Sequence, residues 1–149
     1  MVSKILAATD GSEIAMRALE YAADLAKQTG ATLTLLSVVE KGFVMPVSIP
    51  DVVTPTHLIE PVEDYLKQVA EGYIQRAEEL CKEKEVPTKS VIRSGHPVEE
   101  IIKEAEGSGV DLIVIGSHGK SALKAAVLGS VTFGVIHEGT KIPVLVVRR

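Results

Sequence analysis

Continuous apolar runs, separated by helical patterns, constrain the fold of this chain more than any other feature. Three runs predict buried strands at Lys4–Thr9, Thr32–Val39 and Asp111–Ile115. Ile142–Val147 predicts a fourth strand and Ser90–Ile92 a shorter fifth. Uninterrupted apolar runs are typical of parallel strands, because such a sheet is covered on both faces. The chain is therefore expected to build a parallel sheet.

Amphipathic patterns fill the intervals between these strands. Apolar residues recur at three- and four-residue spacing, which predicts helices over Ile14–Thr29, Pro61–Glu85, Pro97–Glu106 and Ser130–Glu138. Gly30 is the expected stop of the first helix and Ser130 the expected N-cap of the last. The order β-α-β-α-β-α-β-α-β predicts an α/β fold: a five-stranded, doubly wound parallel sheet with helices on both faces. Its 149 residues predict one domain, 1–149.

Composition excludes several classes of protein. Apolar residues make up 46% of the chain, which is typical of a globular protein. The net charge of −4, with no Trp, two Phe and three Tyr, argues against a nucleic-acid partner. Cys81 is the single cysteine, so no internal disulfide forms. No run reaches the ~18 apolar residues of a membrane helix, and no secretory signal is evident, so a cytoplasmic location is predicted.

One long irregular stretch interrupts the pattern at Glu40–Glu60. It contains Pro46, Pro50 and Pro55, which break both helices and strands. Long loops without secondary structure are uncommon and often functional. The stretch is interpreted as a lid or partner contact, or alternatively as a loop packed over the edge of the sheet.

The segment from Gly116 to Ser130 is the most informative for function. It connects the predicted strand Asp111–Ile115 to a helix N-terminus, where free N–H groups and the helix dipole favour an anion. Gly116, Gly119 and Gly129 are expected to let the backbone turn with positive φ and to approach a phosphate closely. Ser130 adds a hydroxyl donor. Alternatively, the glycines only shape a tight strand–helix connection.

Charge in this region supports an anionic ligand. No Asp or Glu occurs from Leu112 to His137, whereas His118, Lys120 and Lys124 do. Local positive potential attracts anions, so His118 and Lys120 are predicted phosphate contacts. Solvent-facing side chains without a ligand are the alternative.

Asp10, after the first strand, has two possible roles. Its carboxylate could accept hydrogen bonds from a ribose or an adenine amine, or it could pair with Glu13 in a capping box for the first helix.

Standard nucleotide motifs do not match: the first glycine of a P-loop would fall at Val114, and no Gly-x-Gly-x-x-Gly follows the first strand. No nucleophile elbow, Cys–His pair or metal-ligand spacing is present either.

The spacing Gly116-x2-Gly119-x9-Gly129-Ser130 resembles the signature of the universal stress protein family, in its ATP-binding branch. Thr9-Asp10-Gly11-Ser12-Glu13 and the final strand are also similar to that family. The resemblance implies a Rossmann-like fold of the adenine-nucleotide alpha-hydrolase type. It places a nucleotide across the carboxyl ends of the first and fourth strands in chain order, Lys4–Thr9 and Asp111–Ile115. The implied ligand is ATP or AMP, with Mg²⁺ accompanying it.

Carried over to this chain, the resemblance implies a set of contacts at the strand ends and the helix start. Together with the residues argued above, the predicted site is Ala8, Thr9, Asp10, Val38, Ile115, Gly116, His118, Gly119, Lys120, Gly129, Ser130, Val131 and Thr132. No catalytic residue is predicted. A signalling homodimer paired through the edge strand Ile142–Val147 is expected, because uncovered apolar edges invite pairing. The alternatives are a slow ATPase and an interaction module without nucleotide.

Overall fold

The computed structural model describes residues 1–41, 56–119, 128–138 and 140–148, with residues 56–61 given by their backbone. These residues form one five-stranded sheet and four helices. The strands are β1 (Lys4–Ala8), β2 (Thr32–Glu40), β3 (Thr88–Gly95), β4 (Leu112–Gly116) and β5 (Val144–Val147). The helices are α1 (Glu13–Thr29), α2 (Thr56–Glu83), α3 (Pro97–Gly107) and α4 (Ser130–His137).

All neighbouring strands are parallel, and their order across the sheet is β3-β2-β1-β4-β5. The predicted fold class is therefore confirmed. The chain builds outward from β1 in one direction to β3, then returns to the other side of β1 for β4. Ligands in open α/β sheets bind at such a reversal, beyond the carboxyl ends of the strands. The topology places that position between β1 and β4.

Two apolar clusters cover the two faces of the sheet. Alternate residues of a strand point to opposite faces, so Ile5 packs with α1 and α2 while Leu6 packs with α3 and α4. The buried stripe of α1 is mostly alanine, and its small side chains let the helix lie close to the sheet. Leu19 is the large fully buried side chain of that stripe. This double covering explains the uninterrupted apolar strands.

The termini of α1 follow local rules. Gly30 takes the left-handed conformation, with φ 73°, and its N–H bonds the carbonyl of Ala26, which confirms the predicted stop. At the other end, Ser12 is the N-cap and its hydroxyl oxygen accepts the N–H of Ala15 over 3.2 Å. The predicted capping pair of Asp10 and Glu13 is therefore wrong, because the helix begins later than that pair requires.

Several boundaries differ from the predicted ones. Helix α2 begins at Thr56 rather than at the predicted Pro61, so this proline lies inside the helix, where it removes one backbone hydrogen bond without ending the helix. Strand β3 extends over Thr88–Gly95, where its pairing with β2 outweighs a weak apolar pattern. Asp111 lies before β4 and accepts hydrogen bonds from Ser3 and Lys4.

The stretch predicted as a lid or partner contact falls mainly on residues 42–55, outside the described part of the chain. Its two ends belong to regular structure, since Glu40 closes β2 and residues 56–60 begin α2. Across the helices that the structure describes, none combines the length and hydropathy needed to cross a membrane.

Candidate functional site

A cavity of about 450 Å³ opens at the carboxyl ends of β1, β2 and β4, beside the N-terminus of α4. Twelve of the thirteen predicted site residues line it. They are Ala8, Thr9, Asp10, Val38, Ile115, Gly116, His118, Gly119, Gly129, Ser130, Val131 and Thr132. The thirteenth, Lys120, lies outside the described residues. Tertiary structure thus brings together segments that are far apart in the sequence.

Hydrogen bonds shape the turn after β1. The carboxylate oxygen Oδ1 of Asp10 accepts the N–H of Ser12 over 2.9 Å. The hydroxyl of Thr9 accepts the N–H of Gly11 over 3.1 Å. The Asp10 side chain is thereby part of the turn that leads into α1, and its carboxylate lies at the wall of the cavity. A carboxylate there is an acceptor for hydroxyl or amine donors of a ligand.

The start of α4 presents backbone donors. Gly129 is the N-cap, with φ −70° and ψ 160°, and no described side chain caps the helix. The prediction that Ser130 is the N-cap is wrong, because helical geometry begins at Ser130 itself. The first bond of the helix runs from the N–H of Phe133 to the carbonyl of Gly129. The N–H groups of residues 130–132 precede it and are the groups that bind anions at helix starts.

Short hydrogen bonds tie α4 to the end of β4. The Thr132 hydroxyl donates to the carbonyl of Gly116 over 2.7 Å, and the N–H of Gly129 donates to the carbonyl of Ser117 over 2.7 Å. The Ser117 hydroxyl and Nδ1 of His118 share another hydrogen bond of 2.7 Å. The ends of the glycine segment are therefore held in a defined arrangement at the cavity.

The three signature glycines are required by close contacts rather than by left-handed backbone. None of them has positive φ, so that expectation is wrong. A Cβ on Gly116 would lie 2.6 Å from a methyl of Ile14, and one on Gly119 would lie 2.6 Å from Oδ2 of Asp10. A Cβ on Gly129 would lie 3.2 Å from Cα of His118. The glycines let the wall segments of the cavity pack directly on one another.

The sequence profile of the universal stress protein family matches residues 1–148. This chain belongs to the universal stress protein family. It is 38% identical over 149 residues to universal stress protein YxiE of Bacillus subtilis, covering 99% of this chain and 100% of YxiE. It is also 38% identical over 157 residues to universal stress protein MJ0577 of Methanocaldococcus jannaschii, covering 100% and 96%.

Solved structures agree with this assignment. The structure of MJ0577 aligns with a TM-score of 0.78 at 37% identity, over 100% of this universal stress protein and 97% of MJ0577. UspA of Lactobacillus plantarum aligns with a TM-score of 0.84 at 24% identity, over 99% and 98%.

Two family structures hold nucleotides. A universal stress protein in complex with cAMP has a TM-score of 0.68 at 22% identity, over 99% of this chain and 97% of that one. The Archaeoglobus fulgidus protein in complex with dAMP has a TM-score of 0.66 at 18% identity, over 99% and 98%. At these identities the likeness shows the shared fold.

The cavity of this universal stress protein also includes residues that the sequence did not single out: Ala15, Leu36, Glu40, Pro97, Ile101 and Leu128. Period-two alternation could have indicated two of them, since Leu36 and Glu40 share a face of β2 with Val38. The lining residues from α1 and α3 reach the cavity through the packing of these helices on the sheet, which local sequence patterns do not predict.

The cavity combines polar and apolar walls. His118 and the start of α4, which carries free backbone donors, line it beside β4, while Leu36 and Val38 supply apolar surface from β2, on the other side of β1. Among the described residues, no group of three or more His, Cys, Asp or Glu side chains could hold a metal ion.

Proposed function

We propose that this universal stress protein binds an adenine nucleotide in the cavity at the ends of β1 and β4. The observation that carries the proposal is the junction of a roomy cavity with the start of α4, which no described side chain caps. Helix N-termini of this kind bind phosphate, because free N–H groups and the dipole point at the same place. The phosphates lie against Gly129, Ser130 and Val131 in this arrangement.

The remaining walls suit a nucleoside. The Asp10 carboxylate at the turn after β1 is an acceptor for ribose hydroxyls, and the Val38 side chain on β2 offers an apolar surface to the base. Both residues line the same cavity as the α4 donors, so one ligand can contact all of them.

The family supports the choice of nucleotide. The complexes with cAMP and dAMP are complexes of universal stress proteins with adenine nucleotides, and both share this fold. We extend that ligand class to this chain, with ATP and AMP as the first candidates. We propose that Mg²⁺ enters bound to the triphosphate, since no group of three or more His, Cys, Asp or Glu among the described residues could hold the ion.

Calorimetric titration with ATP, AMP and GTP tests the proposal. We expect saturable heat with an adenine nucleotide and a weaker response to GTP. Gly129→Val should weaken binding, because its Cβ would lie 3.2 Å from Cα of His118 and displace the backbone at the site. Gly107→Val is the matched control, since a Cβ on Gly107 meets no atom within 4 Å. Absence of heat from all three nucleotides with the wild-type protein would refute the proposal.

We also propose that the protein forms a two-fold dimer through β5 and that this dimer acts in signalling during a stress response. β5 is an edge strand of the sheet, paired on one side with β4. An edge strand presents unpaired N–H and C=O groups that can pair with a second copy. Slow hydrolysis of ATP stays an alternative raised by the sequence, and the cytoplasmic location stays a prediction from it.

A further inference from the structure

We propose that Glu40 determines base specificity in this cavity by accepting a hydrogen bond from the exocyclic amine of the base. The inference rests on the proposed nucleotide function and adds to it a residue that selects among nucleotides. It starts from the position of Glu40 as the last residue of β2 and a lining residue of the cavity.

Strand order places Glu40 on the β2 side of the cavity, because β1 lies between β2 and β4. Leu36, Val38 and Glu40 alternate along β2 and so share one face of the sheet. Leu36 is fully buried, Val38 is half-buried and Glu40 is exposed, so this face runs from the core to the cavity rim. Pro97 and Ile101, one turn apart on α3, line the cavity as well. In the proposed complex, a flat base lies between these walls with its edge towards Glu40.

The Glu40 carboxylate is available to a ligand. Asp10 and Glu40 are the two carboxylates among the described lining residues of this cavity. Asp10 already accepts the N–H of Ser12. The backbone of Glu40 belongs to the β2–β3 ladder, whereas its side chain has no hydrogen bond or ion pair with the described residues. A carboxylate at the rim can therefore be used by the base.

Chemistry decides which part of the ligand Glu40 contacts. A carboxylate only accepts hydrogen bonds, so it favours the amine of adenine and disfavours a carbonyl oxygen at the same position. Its charge repels phosphate, whereas the N–H groups at α4 attract it. The two ends of the cavity thus orient the nucleotide with its phosphates at α4 and its base amine at Glu40.

The test compares ATP with purine riboside triphosphate, which lacks the amine, on wild-type protein and on Glu40→Ala. We expect the wild type to bind ATP about tenfold more tightly, the size of one hydrogen bond to a charged group. In Glu40→Ala the two ligands should bind within about twofold of each other. The readout is the ratio of the two affinities, for ATP and for purine riboside triphosphate. Removal of a negative charge changes the affinity for every nucleotide, and this common effect cancels in the ratio. Glu83→Ala, at the far end of α2, is the matched control and should keep the wild-type ratio.

The outcomes separate the two proposals. If Glu40→Ala retains the wild-type preference for ATP, or if the wild type binds the two ligands equally, the role of Glu40 is overturned and nucleotide binding stands. If neither ligand binds the wild type, the proposed function itself is overturned. Glu40→Gln keeps an uncharged acceptor, and we expect it to retain part of the preference.

Discussion

Thr132 donates its hydroxyl hydrogen to the carbonyl oxygen of Gly116 over 2.7 Å, and this bond joins the first turn of α4 to the last residue of β4. The Thr132 side chain is buried, so the bond has little competition from water. It fixes where the N–H groups of α4 point relative to the end of the strand. The geometry of the part of the cavity that we propose holds the phosphates depends on it.

Thr132→Val should lower both stability and nucleotide affinity. Valine keeps the shape of threonine but leaves the Gly116 carbonyl without this donor, at a cost of about 1–3 kcal/mol in the free energy of unfolding. Urea unfolding and calorimetric titration with ATP measure the two effects. Thr132→Ser keeps the hydroxyl and should retain most of the affinity. Unchanged stability and affinity in Thr132→Val would show that this hydrogen bond does not hold the start of α4 in place.

Gly119→Ala should weaken nucleotide binding with a smaller effect on folding. Its Cβ would lie 2.6 Å from Oδ2 of Asp10, so the carboxylate has to move from the cavity wall. We expect the Kd for ATP to rise about tenfold, the equivalent of one lost hydrogen bond. Gly107→Ala, in open space on α3, is the control. An unchanged Kd in Gly119→Ala would show that the position of Asp10 does not matter for the ligand.

Asp111 should make stability depend on pH in the acid range. The N–H groups of Ser3 and Lys4, with the Ser3 hydroxyl, lower the pKa of its carboxyl. Because the folded pKa is depressed, the stabilisation is complete above the unfolded pKa of about 3.9 and is lost as pH falls through the folded value.

Urea unfolding of the wild type and Asp111→Asn across this range tests that dependence. The wild type should be the more stable at neutral pH, and the difference should close in acid. Asp64→Asn, at an exposed position of α2, is the control for the loss of one surface carboxylate. A difference that stays constant into acid would contradict the role of the carboxylate charge.

Cys81 should be unreactive in the folded protein. Its side chain is fully buried, and burial raises the pKa of its thiol to about 11, although Lys84 partly opposes the shift. The thiolate is the reactive form, so little of it exists near neutral pH. A thiol-reactive disulfide reagent should label the native protein only slowly and the urea-unfolded protein at once. Rapid labelling of the native protein would contradict this burial.

Val146→Pro should produce monomers if the proposed dimer forms through β5. The carbonyls of Pro143 and Val147 accept hydrogen bonds from N–H groups on the β4 side of β5. Backbone groups of successive residues in a strand face opposite edges, so the N–H of Val146 faces the outer edge of the sheet. Proline removes that donor without breaking the ladder to β4. Sedimentation should give the mass of two chains for the wild type and for Val146→Thr, and of one chain for Val146→Pro. A wild type with the mass of one chain would refute the dimer.

Much of the architecture followed from local patterns. The apolar runs at Leu33 and Leu35, and the stop at Gly30, are read from neighbouring residues alone, and the structure confirms both. Strand β3 is longer than the sequence predicts. Its exposed residues show little apolar pattern, and its pairing with β2 is a long-range interaction.

By itself, the sequence determined the βα alternation, the α/β class and the glycine segment, because periodicity and turn preferences act over a few residues. Only the tertiary structure decided that Glu40, Pro97 and Ile101 share a cavity with Asp10, and that Gly119 lies against the Asp10 carboxylate. Those relationships depend on strand order and on how the helices pack on the sheet. They are contacts between segments that are distant in the sequence, so tertiary packing determines them and local residue preferences do not.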